Sequence, residues 1–351
     1  MTDRLIIESF DGWERVRLNN PATLNALDDE MTHGLGEYFA GLATRPEVRV
    51  VVMKGEGRAF CSGLDLGSDQ ARRYVEEGSV EKFAFQKRLG AIIVGMRNCP
   101  QPIVASLHGV AAGGGFSIAM AADIRVAAEG TRMNAAFIRI GAGGGDAGSS
   151  YLLPRLIGAG PAAELLLTGR MLNADRALRM GLLSDVVPLE DLDSTVQGYV
   201  DDMLGTAPMA LRLTKDLLNY TVDAPGLGAA LAMEDRNQVI LGQTHNFAHG
   251  VQSFGRKETP RYDPDGDAIR GSPAQGRCGP TDASKWTPLP EGGSTITRRV
   301  ECLRTSSSRT MSRWSLRTAS FSVRMSIGRT GAAPSRSCFR ARATARVASP
   351  A

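Results

Sequence analysis

Two glycine turns hold the residues best suited to chemistry in this chain. The first is GRAFCSGLDL (residues 57–66), directly after the apolar run VRVVVMK at 48–54. The second is SLHGVAAGGGFSIAMAAD (residues 106–123), which starts within the run IVASL at 103–107. Each reads as a strand, a glycine turn and then a helix, the first helix starting near Asp65 and the second directly after Gly113, Gly114 and Gly115. Backbone N–H groups at such a junction have no partner within the helix. Glycine lets another molecule approach the backbone, and the helix end adds positive potential. Two such turns side by side can hold an oxygen that gains negative charge during a reaction. Either turn alone is more often a packing device than a catalytic one. One acid follows, Asp146 in GAGGGDAGSS at 141–150. A carboxylate opposite an oxyanion site can take up and return a proton; the competing reading is that Asp146 caps a helix starting near Ala147.

Other candidates carry less. Residues 143–148 fit GxGxxG, but no βαβ unit and no suitably spaced acid follow. His245 and His249 are four apart and share a helical face, without the third ligand a metal needs. His108, before Gly109, suits a turn or a hydrogen bond. No metal site and no cofactor are expected.

The positioning elements alternate. Residues 5–9 and 13–18 read as strands joined at Asp11-Gly12, a good hairpin turn pair, and 25–43 as a helix with Asp28, Asp29 and Glu30 near its start. Residues 48–54, 103–107 and 124–127 are β-branched or apolar runs suited to buried strands. This alternation predicts an α/β fold with a mainly parallel sheet. After Pro188 only helices remain, over 190–204, 207–220 and 226–245. The expected organisation is a core over 1–190, a helical region over 191–263, and a low-complexity tail over 264–351.

The formal charge of +4 hides an asymmetry. Residues 264–351 hold 14 Arg and 1 Lys against 5 acids, a net of +10, so residues 1–263 carry −6. The tail reads as a basic, disordered extension without helical or strand periodicity, and the body has no bias toward nucleic acid. Hydrophobic content of 42% is ample for a core. None of the five cysteines has CxxC spacing. The N-terminus lacks a signal-peptide pattern, and no apolar run reaches the ~18 residues of a membrane span. A cytoplasmic protein is expected.

AFCSGLDL at 59–66 and HGVAAGGGFSIAMAADIRVA at 108–127 resemble the AFxxGxDL and NGxxxGGGxxLxxxxDxRxA segments of the crotonase (enoyl-CoA hydratase/isomerase) superfamily. NNPATLNAL at 19–27 resembles its early NRPxxxNAL segment; YLLPRLIG, LTGR and ALRMGLLSDVV follow in the family's order. The resemblance spans about residues 4–263. It implies a spiral of ββα units with a C-terminal helical trimerisation region, assembled as a trimer or a dimer of trimers. It also implies an acyl-CoA thioester as substrate, with coenzyme A entering only as part of that substrate. The oxyanion donors would be the N–H groups of Leu64 and Gly114. Ala22, Thr23, Ala26, Ser62, Gly63 and Asp65 would line the CoA channel, with Gly113, Ser117 and Phe137 as further substrate-binding residues. Residues 71–96 would wall the acyl pocket.

The sequence departs from the family where hydratases keep two glutamates, since Ser117 and Phe137 stand at those places. Neither is a base at neutral pH. Asp146 lies where the resemblance places the proton-transferring aspartate of dienoyl-CoA isomerases, or the nucleophilic aspartate of 4-chlorobenzoyl-CoA dehalogenases. Three readings stay open: isomerase or lyase with Asp146 as acid–base, hydrolase or dehalogenase with Asp146 as nucleophile, and a non-catalytic acyl-CoA-binding subunit.

Overall fold

The computed structural model describes residues 3–268 apart from Glu77, all within the unit Met1–Arg277. From Ile269 onward the expected tail lies outside the described residues. Strand β1 (Leu5–Phe10) turns at Gly12 into β2 (Trp13–Leu18), an antiparallel hairpin. Helix α1 (Asp29–Gly41) leads to β3 (Val50–Gly55), and helices α2 (Asp69–Glu76) and α3 (Ser79–Asn98) lead to β4 (Ile103–Leu107). The short β5 (Val110–Ala112), helix α4 (Gly114–Ala121), β6 (Ile124–Ala128) and β7 (Arg132–Asn134) follow. Then come α5 (Ser149–Ile157), α6 (Ala159–Thr168), β8 (Leu172–Asn173), α7 (Ala174–Arg179) and β9 (Asp185–Val187). The chain ends in α8 (Leu192–Leu204), α9 (Pro208–Thr221), α10 (Leu227–Leu241) and α11 (His245–Arg256).

The main sheet has the order β1-β2-β3-β4-β6-β9, parallel except for the β1–β2 hairpin. A second sheet, β5-β7-β8, stands beside it. The unbroken apolar run in β3 follows from burial on both faces. Val51 and Met53 pack with Leu35 and Phe39 of α1 and Ile92 and Met96 of α3. Val50 and Val52 face Leu192, Val196 and Val200 of α8 on the other side. The sheet's parallel strands thus end their C-terminal turns on one edge of the same packed slab.

Four boundaries differ from expectation. Helix α1 begins at Asp29, because Leu24 and Asn25 have left-handed backbones and the Asp28 carboxylate caps the helix at the Met31 N–H. No helix begins at Asp65: its carboxylate takes the Gly67 N–H and its carbonyl the Ser68 N–H, which folds a turn ahead of α2. The last helix is broken at Gly242, since the Thr244 hydroxyl caps a new helix at the Phe247 N–H. The helical region also continues past residue 263. A short turn at Pro264–Asp267 brings the Asp267 carboxylate to the Met209 N–H and to Asn246 Nδ2.

Helix α9 is pinned to the core by a buried lysine. Lys215 Nζ donates to the carbonyls of Met96 (2.9 Å) and Gln101 (2.7 Å) and pairs with Asp123 Oδ2 at 3.0 Å. An ammonium taken out of water needs all of these partners.

Candidate active site

The first glycine turn is held by β5. Phe60 N–H donates to the His108 carbonyl, Cys61 N–H to Val110, and Ala112 N–H to Cys61, which makes a parallel bridge between Cys61 and Ala111. His108 is buried, its Nε2 3.0 Å from the Gly57 carbonyl, and burial holds its pKa below the ordinary imidazole value. It therefore fastens this turn. Gly63 brings the two turns together: its φ is +97°, and a Cβ there would lie 2.8 Å from the Ala112 carbonyl and 3.3 Å from the Gly114 nitrogen. Only glycine fits this approach.

Leu27 sets the direction of the Leu64 N–H. The Leu27 N–H donates to Gly63 O at 2.7 Å, and its carbonyl accepts from the Asp65 N–H at 3.1 Å. In such a parallel bridge, Leu64's own N–H points away from Leu27. The correction to the sequence expectation is physical: a short bridge, not a helix end, frees this donor. Gly114 is the first residue of α4, where no i−4 carbonyl is available. No hydrogen bond among the described residues uses either N–H.

Leu64 and Gly114 both line one cavity of about 680 Å³. Ser62, Gly63, Leu64, Gly113, Gly114, Phe137 and Asp146 all line it. Ala22, Thr23, Ala26 and Asp65 do not, although Ser62 Oγ donates to the Thr23 carbonyl at 3.0 Å and ties the 22–24 strip to the cavity edge. Ser117 does not line it either. The expectation of Ser117 as a substrate-binding residue is corrected here, because its side chain is fully buried and its hydroxyl donates to the Asp146 carbonyl at 3.3 Å. Phe137 turns its ring toward the second glycine turn, with Cε1 3.7 Å from where a Gly113 Cβ would stand.

Asp146 lies in the turn before α5. Its backbone, not its carboxylate, builds that turn: Asp146 N–H donates to Ser149 Oγ, and Ser149 N–H donates to the Asp146 carbonyl. Helix α5 starts at Ser149 behind Gly148 and takes no side-chain cap, so the capping alternative for Asp146 does not hold. One carboxylate oxygen accepts the Ala147 N–H at 2.7 Å, the only hydrogen bond this carboxylate has among the described residues. Burial raises the Asp146 pKa, and the Ala147 bond offsets part of that rise. Ala147 has a left-handed φ of +44°, unusual for a residue with a Cβ and a mark of local strain. Glu76, the other carboxylate on the cavity wall, is exposed at the end of α2.

The arrangement can polarise a carbonyl oxygen with two N–H groups and offers one part-buried carboxylate in the same cavity. Among the described residues no group of three or more His, Cys, Asp or Glu side chains could hold a metal, and no helix is long and apolar enough to cross a membrane. Sequence reasoning missed Leu27, whose place in an apolar motif gave no sign that its backbone aims Leu64. It also missed Asn25, whose side chain joins the Asn20 N–H to the carbonyls of Glu56 and Ala59. An asparagine two residues before a buried leucine, in a loop, was the available signal.

Residues 11–265 match the enoyl-CoA hydratase/isomerase family model. A protein named "probable enoyl-CoA hydratase" in Rhodobacter capsulatus is 34% identical over 256 residues, covering 73% of this chain and 96% of the relative. The 1,2-epoxyphenylacetyl-CoA isomerase of Escherichia coli is 30% identical, covering 70% of this chain and 92% of the relative. The crystal structure of an enoyl-CoA hydratase from Bacillus anthracis superposes with a TM-score of 0.70 at 27% identity, over 74% of this chain and 99% of that one. The chain belongs to the enoyl-CoA hydratase/isomerase family, and its α/β body with C-terminal helices is the crotonase fold. It is an acyl-CoA-processing member of that family.

Proposed function

We propose that the chain shifts a double bond in an unsaturated acyl-CoA. The N–H groups of Leu64 and Gly114 hold the thioester oxygen, and Asp146 moves the proton. Ionised Asp146 removes an α- or γ-proton, the electron pair spreads onto the thioester oxygen as a dienolate, and the carboxyl group returns the proton to the other carbon. The observation that carries this reading is the part-buried Asp146 carboxylate, with its raised pKa, in the cavity lined by Leu64 and Gly114, whose N–H groups no hydrogen bond among the described residues uses. Ser117 and Phe137, where hydratases keep glutamates, supply no pair of carboxylates to hold a water.

The test is Asp146→Asn against a panel of 3-enoyl- and dienoyl-CoA esters. Turnover should fall at least 10²-fold, the lower end of what general acid–base catalysis supplies, while the Kd of a saturated ester changes less than threefold. Turnover at the parent rate refutes the base role. One Asp146 oxygen has no hydrogen bond among the described residues, which also suits a nucleophile. That second reading requires an acyl adduct on Asp146 in single-turnover mass spectrometry; its absence removes it.

The CoA channel of this proposal runs along Ala22, Thr23, Ala26 and Asp65, supported by the bond from Ser62 to Thr23. No cofactor beyond the substrate's own coenzyme A is required. The assembly is a trimer or a dimer of trimers in the cytoplasm. Exposed Leu218, Tyr220, Leu227, Leu231 and Val239 on α9 and α10 support burial against a second copy. A sedimenting species of single-chain mass would count against this.

A further inference from the structure

Helices α2 and α3 give the cavity wall an aromatic corner. Helix α3 presents Phe85, Leu89 and Ile93 at four-residue spacing, one stripe of its surface. Ile93 packs at the Asp146 turn, its Cγ2 3.2 Å from where a Gly148 Cβ would stand. Leu89 and then Phe85 continue along the cavity, each about 6 Å further along the helix axis. At the Phe85 level, α2 adds Tyr74, also on the cavity wall. The two rings meet edge to face, centroids 5.1 Å apart and planes at 60°. Gln86 Nε2 donates to the Tyr74 hydroxyl at 3.3 Å and fixes that ring. Along α3 the wall is thus aliphatic toward the Asp146 turn and aromatic away from it, a second aromatic place besides Phe137 at the glycine turn.

We propose that the preferred acyl group carries an uncharged aromatic ring several carbons beyond the thioester, seated against Tyr74 and Phe85. The inference rests on the acyl-CoA reading above and adds the substrate class to it. A third ring placed in this corner gains an edge-to-face contact that a linear chain of similar hydrophobicity does not. The nearby charged side chains are engaged or exposed: Arg72 pairs with Asp69, Lys82 lies over the Tyr74 ring and donates to the Val75 carbonyl, Arg88 lies over the Phe85 ring and reaches Asp29, and Glu76 is exposed, so none is held free for an ionic substituent.

The experiment is calorimetric titration of the full chain with 6-phenylhexanoyl-CoA and decanoyl-CoA, both saturated and not turned over. The measured quantity is the ratio of their Kd values in the parent protein, in Tyr74→Leu and in Phe85→Leu. The parent should favour the phenyl ester, and each substitution should cut that preference by roughly 2- to 12-fold, the range of one ring–ring contact. Tyr74 is only part-buried, so its variant remains informative if Phe85→Leu loses stability. A preference unchanged by both substitutions, or decanoyl-CoA bound as tightly in the parent, overturns the proposal. Binding of neither ester overturns the acyl-CoA reading as well, which separates the two failures.

Discussion

Replacing Gly114 by proline removes one N–H group from the site and little from the helix. Gly114 is the first residue of α4, a position where proline is tolerated because the lost N–H had no i−4 acceptor. Gly113, at φ 51° and ψ −123°, lies outside the right-handed helical region that a following proline disfavours. A Cβ at 114 would stand 2.9 Å from Leu27 Cδ1, a side-chain end that can shift at a cost of ~1 kcal/mol. Gly114→Ala carries the same Cβ and keeps the N–H, so the pair of variants isolates the donor. One donor to a developing oxyanion contributes about 2.7–4 kcal/mol, or 10²–10³ in kcat. With a 3-enoyl-CoA followed by the ultraviolet absorbance of the conjugated product, alanine should cost less than about tenfold in kcat, as expected for ~1 kcal/mol. Proline should cost a further 10²–10³. Melting temperatures of the two variants should agree within a few degrees. If folded Gly114→Pro turns over within threefold of Gly114→Ala, the N–H of Gly114 is not a donor to the reacting oxygen.

Three further outcomes follow. On the proposed reading Asp146 works as a base only when ionised, so kcat/KM should rise with pH through a value above the ordinary one for an aspartate, because burial raises its pKa. A limb at the ordinary carboxylate value would contradict this. The same shift means the fold favours the neutral acid. Its contribution to stability is complete below the unfolded pKa and is lost as pH rises through the folded one. Asp146→Asn should therefore melt higher than the parent at pH 7 and not at low pH; equal melting at pH 7 would show the carboxylate to be unstrained. Asn25→Ala removes three hydrogen bonds of ~1 kcal/mol each and leaves a Cβ at φ 56°, worth ~1 kcal/mol more. Urea denaturation should register a loss of about 4 kcal/mol. A loss below ~1 kcal/mol would mean that Asn25 does not hold the loop that aims Leu64.

The strands were legible because burial on both faces writes continuous β-branched runs, as in Val50, Val51 and Val52. The two glycine turns were legible for a related reason: close backbone approach leaves no room for a Cβ at Gly63 or Gly115. The role of Leu27 was not legible, since it acts through its backbone and any side chain has the same N–H and carbonyl. The aromatic corner was hidden too. Helix α3 carries apolar residues on its outer side as well, with Phe83 and Val94 exposed, so no single stripe stood out to mark Phe85 and Leu89 as cavity wall. Ser117 misled because motif position gives a place along the chain, while the direction of its hydroxyl depends on the Asp146 turn arriving above it.

That turn links the two departures from the family pattern. At one glutamate position the hydroxyl of Ser117 supports the carbonyl of Asp146, and so helps fix the residue that carries the part-buried carboxylate on the cavity wall. At the other, the ring of Phe137 closes on Gly113 and fills with carbon a place where a second carboxylate would have drawn water. Both changes point the same way. A site that adds water needs polar groups to hold it, whereas a site that moves a proton between two carbons of one substrate is helped by excluding water from the dienolate. On the proposed reading, restoring Phe137→Glu alone should not restore hydration. The new carboxylate would have no partner at Ser117 and would stand beside an enolate of the same charge.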